Sequence, residues 1–441
     1  MTEKAKKRKY GTEAAAKVPG IVRAITAEAL RANEAGKPVA YCFAFCGYDE
    51  IVRAMDIVPA WPENYAGICA AKRDAMRFIE RAEADNYSRS LCTYATCGLG
   101  FDSWRNEPGG VPDAPWGGMA RPDMMLGSGQ MICDPRYKWY QAAQDYMPDV
   151  PVYVVGQLLP SYDEDVDIRE VQDYYVKYIV AEFRGLVEFL EKQTGRKMDW
   201  GKLAELVDLG DRTWNMIWEA HELRRAMPAP MDTGDAMNTM VPMTFLMGTQ
   251  QAYDFFKDLY DELKHKVNNG IGVVPKEKYR LLWGQGLPPW FALSDFEYFN
   301  SRGAVFPVEI KYRNIEPIYN MDLPPASDPL EHMAWRWFKM WTHWYEKARQ
   351  RRGSYPMVER MIQYIEDYKV DGVVIHSAFS CRSWHLGLKW QLDLLKKLYK
   401  DIPSLILESD MVDISSYSEA DTHNRIDAFI ETLESTPNKA G

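Results

Sequence analysis

Three cysteines far apart in the chain occupy similar surroundings: Cys92 in RSLCTYATCGLG, Cys133 in GQMICDPRYKW and Cys381 in HSAFSCRSWHLG. Cys133 and Cys381 each follow a short apolar run at a point where a helix is expected to begin, and Cys92 opens another helical pattern. Thiolates are soft donors for zinc or iron–sulfur centres, and the unpaired N–H groups of a helix start favour ionised sulfur. Three such positions could converge on one iron–sulfur cluster and leave its fourth iron open. The chain has no C-x-x-C pair, and its nearest cysteines are Cys42 with Cys46 and Cys92 with Cys97. That spacing argues against zinc ribbons, thioredoxin-like motifs and ferredoxin-type clusters. An odd count of seven without dense spacing predicts reduced thiols or metal ligands rather than a disulfide framework. Cys42, Cys46, Cys69 and Cys97 read as small buried hydrophobes, with Cys46 and Cys97 kept as alternative ligands.

Other residues carry weaker chemical signals. His376 and His385 flank Cys381 and are candidate proton donors. The competing reading has His376 ending a buried strand and His385 packing in the first turn of a helix. No H-E-x-x-H occurs, so zinc hydrolysis has no support. Gly127-Ser-Gly129 follows a strand-like run, but Ile132 stands where a dinucleotide fingerprint needs its third glycine. With no G-x-x-x-x-G-K-[ST] in the chain, ATP-driven chemistry would belong to a partner. Trp335, Trp337, Phe338, Trp341 and Trp344 crowd one helix with Met333 and Met340, which reads as core packing or a subunit interface before a cofactor box.

The elements that must position these residues alternate. KPVAYCFAF reads as a buried strand and CGYDEIVRAMDIVPAW as a helix; residues 66–85 and 89–104 form further helices, the second opening near Cys92. PDMML from Pro122 is a short strand, Cys133 to Tyr146 a helix and PVYVVGQ from Pro151 the next strand. From Asp165 to about Lys266 only helical patterns appear, and alternation resumes with YRLLWGQG, GAVFPVEI, VDGVVIHSAFS and PSLILESD. Strands separated by helices imply parallel pairing. The predicted architecture is α/β, two Rossmann-like parallel-sheet domains with a helical layer between them. The divisions are a helical segment over 1–36, a first α/β domain over 37–164, a helical region over 165–270 and a second α/β domain over 271–441. Open parallel sheets place ligands beyond the carboxyl ends of their strands. Two sheets facing across a cleft would let Cys92 and Cys133 meet Cys381.

At 441 residues, 46% apolar and 26% charged, the chain is an ordinary globular protein with enough length for several cores. Its net charge of −10 disfavours nucleic acid or an anionic membrane as main partner. The basic run Lys4, Lys6, Lys7, Arg8 and Lys9 reads as a solvated terminus. No run of eighteen apolar residues appears, so no membrane span is expected and the expected compartment is the cytoplasm.

Five segments together are similar to one family: AFCGYDEIVRAMDIVPAWPENY, LCTYATCGLG, the Cys133-Asp134 pair, HSAFSCRSWHLG and the terminal ILESDMVD…THNRIDAFIETLE with its Arg425-x-Asp-Ala-Phe429 ending. They resemble the benzoyl-CoA reductase/2-hydroxyacyl-CoA dehydratase family, in matching order over nearly the whole chain. Length and N-terminal wording look most like the larger cluster-binding subunit of ATP-dependent benzoyl-CoA reductases. The resemblance implies a [4Fe–4S] cluster held by Cys92, Cys133 and Cys381 between α/β domains. It also implies a homologous cluster-bearing partner in a heterodimer, a separate ATP-hydrolysing iron–sulfur activator and an acyl-CoA substrate. The expected reaction is one-electron reduction of an aromatic acyl-CoA ring to a dienoyl-CoA. Radical elimination of water from a 2-hydroxyacyl-CoA is the alternative within the family. A non-catalytic electron-relay subunit and a zinc-holding binding module are the alternatives outside that chemistry.

Overall fold

The computed structural model describes residues 9–129, 133–310 and 316–436. Residues 4–8 of the basic run and Ile132 lie outside them. The eight strands are β1 (Val39–Tyr41), β2 (Val58–Ala60), β3 (Met124–Ser128), β4 (Val152–Val155), β5 (Tyr279–Gln285), β6 (Ala304–Glu309), β7 (Gly372–Ala378) and β8 (Ser404–Ser409). They form two four-stranded sheets, ordered β2-β1-β3-β4 and β6-β5-β7-β8. Every pairing is parallel, as crossover helices require. The fold is therefore the expected α/β architecture with two Rossmann-like sheets. Every residue of β3, β6 and β7 is buried, which is why these segments read as apolar runs without alternation.

Both sheets share one topology, and the sequential order reverses between β1 and β3 in the first and between β5 and β7 in the second. Ligands in open parallel sheets collect beyond the carboxyl ends of strands at such reversals. Cys133 follows β3 and Cys381 follows β7, so the two stand at equivalent places in the two sheets.

Local departures from the sequence reading have local causes. β1 stops at Tyr41 because Phe45 and Gly47 take left-handed conformations, with φ of 58° and 69°. The helix expected to run on through DIVPAW spans only Asp49–Ala54, and β2 follows it. β2 is three residues long, contains Pro59 and lies at a sheet edge, where a residue without an N–H is tolerated. The single helix expected over 66–85 is two, Pro62–Ala71 and Met76–Ala84, parted at Arg73 with φ of 56°.

The helical middle is built from helices Ile168–Thr194, Trp200–Glu222, Thr233–Phe245 and Gln250–Asn268. Each starts at a side-chain cap, from Asp167, Asp199, Asp232 and Thr249, and the first ends on left-handed Gly195. Val176, Ile179, Phe183, Leu186, Val187 and Leu190 recur at three- and four-residue spacing on the buried face of the first. This layer is tied to the second sheet by a buried pair: Arg224 donates to Glu309 at 2.9 and 2.7 Å, and the Thr233 hydroxyl donates to the same carboxylate at 2.6 Å. Among the described residues no helix is long and apolar enough to cross a membrane.

Candidate functional site

Cys92, Cys133 and Cys381 each occupy the residue just before a helix: Thr93–Arg105, Asp134–Tyr146 and the single turn Arg382–His385. Their placement follows from the elements behind them. Helix Thr93–Arg105 packs closely on helix Met76–Ala84 because Gly100 has no side chain; a Cβ there would sit 1.8 Å from the Phe78 carbonyl oxygen. The other two cysteines leave the ends of buried strands β3 and β7.

The three are brought together at one cavity of about 870 Å³, which all of them line. Burial pushes the Cys92 thiol well above its ordinary range, the nearby Cys133 and Cys381 push it further, and the N–H groups of Ala95 and Tyr94 pull against this. Among the described residues no three His, Cys, Asp or Glu side chains close around a point as a single ion requires.

Two polar ties fasten the loops to one another. The Asp410 carboxylate, just past β8, accepts from the Thr93 hydroxyl at 2.5 Å and from the Ser380 N–H at 3.2 Å, joining the residue after Cys92 to the residue before Cys381. Arg382 donates to Asp134, joining the residue after Cys381 to the residue after Cys133. Beneath Cys133, Arg136 grips Glu63 through two hydrogen bonds of 2.7 and 2.9 Å, and Glu63 also accepts the Ala44 N–H at 2.8 Å. Burial opposes the Arg136 charge, but Glu63 and then Cys133 outweigh it and hold the guanidinium charged.

The rest of the cavity wall is largely aromatic and thioether: Trp116, Trp214, Trp290, Phe291, Trp341, Trp344, Met237, Met240, Met243 and Met340. The tryptophan-rich helix spans Pro329–Gln350, and its aromatic set divides. Trp335, Trp337 and Phe338 are core residues away from the cavity lining, whereas Trp341 and Trp344 line the cavity with Met340. The Tyr162 hydroxyl and the indole N–H groups of Trp341 and Trp344 are buried without a hydrogen-bond partner among the described residues. Lys72, Arg73 and Arg360 add positive charge to the wall.

The remaining sequence candidates stand elsewhere. His376 lies in β7, 1% exposed, and is not part of the cavity lining. Its Nδ1 meets the Leu287 carbonyl, its Nε2 stands 2.7 Å from Ser409 Oγ, and burial lowers it to about 4, so it is neutral near pH 7. His385 ends the turn after Cys381 and faces Ser377, with Nδ1 at 2.5 Å from its hydroxyl, again off the cavity lining. Cys46 and Cys97 are fully buried away from the cavity; burial lifts Cys46 to about 12, and Cys97 shares a hydrogen bond with Cys69. Thr93, Ser380 and Asp410 escaped the sequence reading. Their one signal was that each lies within a segment of the family resemblance.

Residues 48–433 match the family described as 2-hydroxyglutaryl-CoA dehydratase, D-component. The chain belongs to that family. Within it, the chain is 27% identical over 411 residues to the (R)-phenyllactyl-CoA dehydratase alpha subunit of Clostridium sporogenes, covering 92% of each protein. It is 25% identical over 416 residues to a benzoyl-CoA reductase subunit of Thauera aromatica, covering 91% of this chain and 90% of that one. It is 25% identical to the (R)-2-hydroxyisocaproyl-CoA dehydratase alpha subunit of Clostridioides difficile over 92% of this chain and 93% of the other. These family relatives are named as subunits of enzymes, dehydratases and a reductase alike.

Proposed function

We propose that this chain is the iron–sulfur subunit of an ATP-dependent aromatic acyl-CoA reductase of the benzoyl-CoA type. One observation carries the reading: three cysteines, each at the start of a helix, converge on one large cavity walled by aromatic side chains. Cys92, Cys133 and Cys381 would hold a [4Fe–4S] cluster, whose positive irons favour the thiolate form that burial disfavours in the bare protein. Bound there, the cluster supplies single electrons at low potential.

The chain's own residues supply the rest. The aromatic and Met wall offers faces on which an aryl ring can stack. An N–H or O–H brought to the thioester oxygen would stabilise negative charge spreading from the ring, and Tyr162, Trp341 and Trp344 on the wall carry buried donors without a partner among the described residues. Lys72 and Arg73 on the cavity wall would suit coenzyme A phosphates. A cavity beside the cysteines supports a substrate on this chain rather than a relay role alone. A homologous partner subunit and an ATP-hydrolysing activator complete the proposed complex, since this sequence has no phosphate-binding loop.

Iron content and visible spectra of anaerobically purified protein test the ligand set. Cys92→Ala, Cys133→Ala and Cys381→Ala should each lose iron, and full retention in any one removes that cysteine from the set. The reaction is tested in the assembled complex with ATP and a low-potential reductant, where an aromatic acyl-CoA should yield a dienoyl-CoA. The second reading, radical dehydration, is favoured by the dehydratase names among the relatives. Redox-neutral conversion of a 2-hydroxyacyl-CoA to an enoyl-CoA, with no ring reduction, would replace the first reading with it.

A further inference from the structure

A second cavity, of about 20 Å³, lies beside the large one, and Tyr417 borders both. Asp295, His376, Ser409 and Thr422 complete much of its wall. Most of the rest of that wall is apolar, from Trp283, Phe296, Phe299 and Leu407 among others. Tyr417 donates its hydroxyl proton to Asp295 Oδ1 at 2.8 Å. His423 Nε2 stands 3.6 Å from the same oxygen. The His423 ring lies flat on Tyr298, centroids 3.6 Å apart, and its side chain is 23% exposed against 11% for Asp295. From solvent inwards the order is His423, Asp295, Tyr417, cavity.

We propose that His423, Asp295 and Tyr417 form a proton conduit that feeds the large cavity from solvent. The inference rests on reading that cavity as the acyl-CoA site. Ring reduction consumes protons as well as electrons, and a proton donor on the cavity wall has to be refilled after each transfer. In one pass Tyr417 gives its hydroxyl proton to the acceptor in the cavity, and protonated Asp295 reverses the hydrogen bond and replaces it. The His423 imidazolium then restores the Asp295 proton and is itself reprotonated from solvent. One proton crosses per pass and no electron moves.

The surroundings suit this traffic. Burial lifts the Asp295 carboxyl to about 7, Tyr417 pulls it down and Glu419 pushes it up, so it can hold or release a proton at working pH. Burial also raises Tyr417, followed by Asp295 and Glu419, with Arg73 acting the other way. His376 and Glu408 border the small cavity, and the Asp427 carboxylate feels His423 from the outer side. Neutral His376 is a wall of the void; its nitrogens are engaged by Leu287 and Ser409.

The test uses Tyr417→Phe, Asp295→Asn and His423→Gln in the assembled complex. The first two should lower kcat for the acyl-CoA at least about tenfold, leave KM within about twofold, enlarge the solvent deuterium isotope effect and keep full iron content. His423→Gln should lower kcat less and be rescued by added imidazole. An unchanged kcat and pH profile in both inner variants, or a rise in KM alone, overturns the conduit and leaves an ordinary structural pair. A readout independent of turnover is an infrared titration of the carboxyl band. A band that titrates near neutral pH, vanishes in Asp295→Asn and exchanges deuterium more slowly in His423→Gln supports the conduit; its absence from the unmodified protein overturns it. If that band behaves as expected but the unmodified complex reduces no acyl-CoA, the proposed reaction fails and the conduit stands.

Discussion

Thr93 donates its hydroxyl proton to Asp410 at 2.5 Å, a contact between residues 317 positions apart that fixes the first cysteine loop against the second sheet. The same carboxylate accepts from the N–H groups of Ser380, Val412 and Asp413 at 3.2, 2.9 and 3.1 Å. Ser380 Oγ in turn lies 3.2 Å from Thr93 Oγ1. Asp410 is 3% exposed, so these donors have little access to water as a substitute. One side chain thereby ties the residue after Cys92 to the residue before Cys381.

Asp410→Ala should destabilise the protein by at least about 3 kcal/mol, because it leaves three buried N–H groups unpaired, each costing about 1–3 kcal/mol. Urea unfolding under anaerobic conditions measures this. If the carboxylate also sets the cysteine spacing, iron content should fall in the fraction that remains folded. Asp410→Asn keeps one accepting oxygen and should show roughly half the loss of stability.

The buried pair under Cys133 behaves differently, because both partners are charged. Arg136→Met leaves the Glu63 carboxylate without its guanidinium, with only 14% of its side chain exposed, at a cost of about 3–5 kcal/mol. Adding Glu63→Gln should recover much of that loss, since the uncompensated charge is gone. The double-mutant cycle measures the recovery, and additive losses would mean the two residues act independently.

How much of this was legible in the sequence depends on distance along the chain. Apolar runs at β3, β5, β6 and β7 are set by burial on both sheet faces, and that signal is local. β2 was not legible, because three residues with a proline carry no periodic signal. Cys92, Cys133 and Cys381 were visible through residue type and position before a helix. Asp410 was not, since its partners Thr93 and Ser380 are joined to it only by the tertiary fold. The histidines beside Cys381 were visible by position, whereas their partners were not. The fold turns His376 towards Leu287 and Ser409, whereas Tyr417, in no motif, reaches the cavity.

Asp49 predicts a pH dependence. Its Oδ1 is buried without a hydrogen-bond partner among the described residues, and its carboxyl is raised to about 7, by burial first and then by Glu50, against the pull of Arg53. In the unfolded chain an aspartate titrates near 3.9, roughly the reference value. Between those values the folded protein holds the extra proton, so this contribution to stability is fully present below about pH 4 and is lost as pH rises through about 7. Asp49→Asn should therefore leave stability at pH 4 nearly unchanged and raise it at pH 8, by on the order of 4 kcal/mol. Thermal unfolding across that range checks it; an equal change at both pH values would show that the carboxyl does not titrate as described.

Tyr162 separates a ligand contact from a structural one. Its ring is held edge-on by Tyr345 and Tyr355, with centroids 5.5 and 5.8 Å away, while its buried hydroxyl has no partner among the described residues. Removing that oxygen therefore sacrifices no hydrogen bond seen in the structure, and Tyr162→Phe should melt at the same temperature as the unmodified protein or slightly higher. If the hydroxyl serves the acyl-CoA carbonyl, affinity for a non-reducible acyl-CoA analogue should fall by roughly three- to tenfold, the worth of one hydrogen bond of about 0.5–1.5 kcal/mol. Calorimetric titration of the variant gives both the affinity and its enthalpy. Loss of melting temperature together with unchanged affinity would assign the hydroxyl to the fold instead of the ligand.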